Sequence, residues 1–131
     1  MQYHYDLGKK LAFLRHMGVL IIGSGNIIHN LRLARPSEKG FNHEYRYEWA
    51  EKLNLIMKNK ILMRDHSPLI NYHNLSKDAN LGIPSEEHYI PLIYSLALQE
   101  EGEPIGIFND KIVAGSLSMT SLIIGYYKKP E

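Results

Sequence analysis

The chain has 131 residues, with 15 Lys and Arg against 14 Asp and Glu, and no cysteine. That length suits one domain, residues 1–131, able to bury a modest core. A net charge of +1 gives no electrostatic case for nucleic acid or an anionic membrane surface, and the lack of cysteine excludes disulfides and thiolate metal sites.

Residues 4–17 are predicted to form an amphipathic helix, with Leu7, Leu11 and Leu14 on one face and Gly18 at the stop position. Residues 19–22, Val-Leu-Ile-Ile, read as a central strand that is apolar on both faces, as parallel strands covered on both sides tend to be. A tight turn and His29 follow. Residues 35–40 form a polar connection with turn chemistry. A second helix is expected over residues 44–59, with Tyr45, Trp49, Leu53 and Ile56 as its stripe, then short helical turns over 60–75 and a loop over 76–84. Pro91 suits the first turn of a helix over 91–98, which leaves His88 in the irregular turn before it. Residues 105–109 and 117–126 read as neighbouring antiparallel strands, followed by the polar tail Lys128, Lys129, Pro130, Glu131.

No run approaches the length of a membrane span, and the first six residues lack an apolar signal core. A reducing, cytoplasmic setting is expected. Without cysteine, the seven histidines and the carboxylates are the available transition-metal ligands.

The stretch Gly23-Ser24-Gly25-Asn26-Ile27-Ile28-His29-Asn30-Leu31 is the first candidate for chemistry. Ligands of open α/β sheets bind at the carboxyl ends of strands, and glycine lets a substrate or backbone come close. A dinucleotide fingerprint would need a third glycine where Ile28 stands, and no Lys-Ser/Thr follows to make a phosphate loop. The bland alternative for His29 is a packed histidine with both nitrogens satisfied. His88 is the second candidate, at a helix approach beside Glu86 and Glu87, carboxylates able to orient its ring. His66 and His73 read as surface residues, His4 and His16 as solvent-facing, and His43 as a cap or surface residue. No local H-x-H, H-x-x-x-H or H-E-x-x-H motif is present. Ser116 and Ser118 alternate with apolar residues as a strand begins, in a loop expected to line a pocket. No G-x-S-x-G elbow surrounds them.

Three stretches together resemble the C-terminal half of the class III extradiol ring-cleavage dioxygenases, closest to the bacterial DOPA 4,5-dioxygenase-like group. They are residues 18–31, residues 84–92 (Pro-Ser-Glu-Glu-His-Tyr-Ile-Pro-Leu) and residues 115–120 (Gly-Ser-Leu-Ser-Met-Thr). The resemblance implies an α/β fold with a central, mostly parallel sheet and flanking helices, present here as its C-terminal portion. It implies that His29 is the acid/base histidine and His88 a metal ligand, with Asn26 and Asn30 shaping the pocket. It further implies non-haem Fe(II) or zinc, and catechol substrates. Members of the family are about twice this length, beyond one modest domain, and their other half carries two further metal-binding histidines. A complementary N-terminal-half chain or self-association is therefore the expected partnership. The competing reading is a non-catalytic remnant acting as an assembly or small-molecule binding module.

Overall fold

The computed structural model describes residues 1–125, so Tyr126 and the tail at 128–131 lie outside the described residues. The expected N-terminal helix is divided into α1 (Gln2–Lys10) and α2 (Phe13–His16). Between them the amides of Leu11 and Ala12 bond three residues back, to Gly8 and Lys9, which tightens the chain out of α-helical register. Gly8 lies against α6 (Ile90–Ala97), where a Cβ would come 2.7 Å from the Ala97 Cβ. Gly18 does end α2. At φ +79° it closes a Schellman turn, in which Val19 N–H donates to Leu14 C=O and Gly18 N–H to Arg15 C=O.

The second helix, α3 (Glu48–Leu62), starts and ends later than the sequence suggests. It buries Ala50, Leu53, Asn54, Met57 and Ile61, a stripe at helical spacing that shares only Leu53 with the expected one. Trp49 is half-buried, stacked on Tyr47. Beyond α3 come α4 (His66–Ile70), a 3-10 turn (Tyr72–Asn74) and α5 (Ala79–Gly82), which replaces part of the expected loop. The core joins Leu53, Met57 and Ile61 of α3 to Ile93 and Leu96 of α6, closed by Ile28, Leu69, Tyr72 and Tyr89. Each such side chain contributes roughly 1.5–3 kcal/mol by leaving water.

The strands are β1 (Ile105–Phe108), β2 (Ile112–Val113), β3 (Leu117–Ser118) and β4 (Ser121–Ile124). β1 pairs antiparallel with β4, from Ile105 opposite Ile124 to Phe108 opposite Ser121, as the sequence suggests. β2 pairs antiparallel with β3. The molecule is thus mixed α/β with two small antiparallel sheets, and the expected central parallel sheet is not formed among the described residues. Residues 19–22 are the chief departure. They form no strand: no described strand pairs with them, and Leu20 and Ile22 are 82% and 78% exposed. The run has strand-forming residues, yet a strand needs a neighbour to take its backbone hydrogen bonds. Among the described residues, no helix is long and apolar enough to cross a membrane.

Candidate active site

The run at 19–22 leads into the core at Ile27 and Ile28, both buried, and these anchor His29. Its backbone is held on both sides. His29 N–H donates to Gly82 C=O at 2.9 Å, and His29 bridges antiparallel to Leu117. Ser118 N–H donates to Ile28 C=O at 2.9 Å. The residue is 3% exposed. Its Nε2 lies 3.0 Å from the Ser85 carbonyl oxygen. A carbonyl only accepts, so Nε2 carries the proton in the neutral ring. Nδ1 is buried and has no hydrogen-bond partner, which leaves it as the free lone pair. Burial pushes the pKa of His29 down, ahead of the opposing pull of the Ser85 carbonyl.

His88 reaches the same place from the other direction. It precedes α6, which carries Pro91 in its first turn, as the sequence suggests. Its carbonyl accepts from Asn26 N–H at 2.9 Å. Gly25 permits that approach, since a Cβ there would fall 2.2 Å from the His88 carbonyl oxygen. The two rings lie 5.0 Å apart, centroid to centroid, tilted by 56°, although the residues are 59 positions apart in sequence (88 − 29). A cavity of about 270 Å³ is walled by His29, Leu31, Arg32, Ser85, Glu87 and His88. His88 also borders a groove of about 530 Å³ on its other side.

The remaining sequence candidates divide. Asn26 lines the larger groove, and its side chain donates to Ser118 C=O at 2.9 Å. Asn30, Ser116 and Ser118, expected at the pocket, line neither cavity and lie in the scaffold beneath His29. Asn30 Nδ2 donates to Leu81 C=O at 2.7 Å, and Asn30 Oδ1 accepts from Leu33 N–H. Ser116 donates to the Asn30 carbonyl at 2.8 Å. Ser118 donates within a buried cluster of Asn54 and Thr120 that Asp110 and Lys58 complete. Buried hydroxyls must find partners, and at these positions they found backbone and each other.

Glu86 turns toward His73, 3.8 Å away, instead of toward His88. Glu87 accepts from the Ser85 hydroxyl at 2.7 Å, which holds its carboxyl below the usual range. Ser85 and Arg32 are the site residues that sequence reasoning missed. Ser85 acts through its main chain, and its one sequence signal is its place in the turn after Pro84. His66 is half-buried, bonded to the Tyr5 hydroxyl at 2.8 Å, and His4 is held by Tyr94, so neither is the free surface group expected. Among the described residues, no group of three or more His, Cys, Asp or Glu is placed to hold a metal ion.

The chain that carries this pair of histidines is similar to proteins named 4,5-DOPA dioxygenase extradiol. It is 37% identical over 126 residues to the one from Escherichia coli K12, covering 94% of this chain and 45% of that relative. It is 26% identical to the one from Beta vulgaris, over 91% of this chain and 42% of the relative. The solved structure of an uncharacterized Escherichia coli K12 protein superposes with a TM-score of 0.81 at 36% identity, over 92% of this chain and 48% of that one. The chain therefore spans about half the length of the relatives it matches. No family model matches it.

Proposed function

We propose that this chain is the C-terminal half of a class III extradiol dioxygenase-like catalytic unit that opens the ring of a catechol-type small molecule. The observation that carries this reading is the pairing of His29 and His88 across one cavity. The likeness to proteins named 4,5-DOPA dioxygenase extradiol supports it.

Fe(II) or zinc is the cofactor of the proposed unit, and His88 is the side chain that would hold it. A mononuclear site takes about three protein ligands. The described residues of this chain do not bring three such groups together, so they do not make a metal site by themselves. The other ligands come from the half that this chain does not match. The central parallel sheet likewise belongs to the assembled unit.

The work of this chain is proton handling. His29 is buried and its pKa is lowered, so the ring is neutral near pH 7 and able to accept. The imidazole of His29, on the wall of the cavity, takes the proton of a catechol hydroxyl and returns it after ring opening. Exclusion of water around His29 keeps the proton from being lost to solvent.

The test is reconstitution with the complementary half of the Escherichia coli relative. His29→Gln should lower turnover by about 10²–10⁴-fold, the range for loss of a general base, with metal content unchanged. His88→Ala should lose the metal. Full turnover in the His29→Gln assembly would sink the assignment. A second reading, a non-catalytic assembly or small-molecule binding module, draws on the lack of a three-ligand group among the described residues. Metal-free reconstituted protein that still binds catechols would favour it.

A further inference from the structure

The segment before His29 is built like an interior strand and is placed like a surface loop. Between Val19 N–H, which caps α2, and Asn26 N–H, which bonds His88, no main-chain group of residues 20–25 has a hydrogen-bond partner among the described residues. Gly23 and Gly25 press on α6, where a Cβ at Gly23 would come 2.8 Å from the Pro91 carbonyl oxygen. Leu20 and Ile22 border the groove beside α6 and are exposed. Opposite the segment runs β4, whose only described partner is β1, so its second edge is open as well. The groove of about 530 Å³ lies between these two edges, floored by Pro91, Leu92 and Ser95 of α6 and ending at His88.

We propose that this groove is a strand-docking slot, and that its occupant is a β-strand from the polypeptide corresponding to the half of the relatives that this chain does not match. Three observations select that occupant. The solved relative shares this fold over the matched part and has about as much chain again, since the match covers 48% of it. The slot offers unpaired main chain along one wall and an open strand edge along the other, which suits an extended segment better than a helix. The large exposed side chains on the segment, Leu20 and Ile22, are apolar, as for a strand that ends inside a covered sheet. An exposed edge of this kind is otherwise a site of aggregation. This inference rests on the functional reading for the identity of the partner, but its test reads binding and not catalysis.

The full chain is mixed with the separately expressed N-terminal half of the Escherichia coli 4,5-DOPA dioxygenase extradiol, the part that the match leaves uncovered. Light scattering and amide hydrogen exchange are recorded together. The expected result is a one-to-one complex in which the amides of residues 20–24 exchange at least about tenfold more slowly than in the free chain, a factor that corresponds to ~1.4 kcal/mol. Ile22→Pro, which removes a donor and fixes φ, should weaken the complex by tenfold or more. Leu62→Asp, at an exposed position on α3, should not. Four outcomes overturn the proposal. They are no complex, a complex that leaves residues 20–24 exchanging freely, a homodimer of this chain that protects them, and protection already present in the monomer. A protected one-to-one complex that opens no catechol ring would uphold the slot and count against the dioxygenase reading alone.

Discussion

Two apolar regions meet at α6 and have opposite fates. On one side Ile93 and Leu96 are at most 1% exposed, in the core cluster that also holds Leu53, Met57 and Ile61 of α3. On the other, Leu20 and Ile22 of the run at 19–22 remain in water. The residue types are the same, so composition does not separate them. What differs is whether the matching surface lies within the chain. The cluster around α3 is supplied by the described residues themselves, whereas the run at 19–22 needs neighbours that they do not supply. Hydrophobicity in a sequence marks a demand for a partner and says nothing of where the partner is.

The comparison is broken most severely by substitution. Met57→Ala in the closed core should lose about 2–5 kcal/mol by transfer and cavity effects, measured by urea denaturation. Leu20→Ala should stay within about 0.5 kcal/mol, as exposed positions do. Equal losses would mean that the open run is covered in solution. Next in size, Gly25→Ala forces a methyl against the His88 carbonyl, which sits 2.2 Å from the ideal Cβ. That backbone contact cannot swing aside, so a loss of about 1–3 kcal/mol is expected, together with shifted His88 resonances in an NMR spectrum. Ser118→Ala should cost about 1 kcal/mol, less than the core variant, because it removes a hydroxyl's hydrogen bonding to Asn54 and leaves no large cavity.

The smallest effect is pH dependence. Burial lowers the pKa of His29 and of His66 in the folded chain. The unfolded chain therefore binds protons first as pH falls through about 6.5, and stability drops from there until the folded-state values are passed. Above pH 7 neither group contributes. Thermal melts should show Tm falling by a few degrees from pH 7.5 to pH 5.5, with about 4–8 °C per kcal/mol as the scale for a small domain. A flat profile would mean that both rings are already solvated.

Much of the fold is legible in the sequence because its signals are local. The glycine at 18 marks the end of α2, Pro91 marks the start of α6, and the β1–β4 pairing follows from two apolar segments that return on each other. The α3 stripe differs from the expected one because Asn54, a polar residue, is buried by its cluster with Ser118 and Thr120. At 19–22 the residues have the chemistry of a strand without its placement, since pairing is decided at long range. At the site, the motifs anticipate the meeting of His29 and His88. They do not anticipate the Ser85 contact, because a main-chain carbonyl leaves no mark in the residue alphabet. The scaffold roles of Asn30 and Ser116 are hidden for the same reason, since each bonds a carbonyl far along the chain.

Trp49 is the one tryptophan of the sequence, and the structure places it where it can be read by light. Its ring stacks on Tyr47 and borders Gly82, the residue whose carbonyl holds His29 N–H. Its emission therefore comes from a single place, beside the residue that holds the His29 backbone. Selective excitation of the indole turns the protein into its own fluorescent gauge. A red shift before global unfolding would time the opening of the seam between Gly82 and His29 without any attached dye.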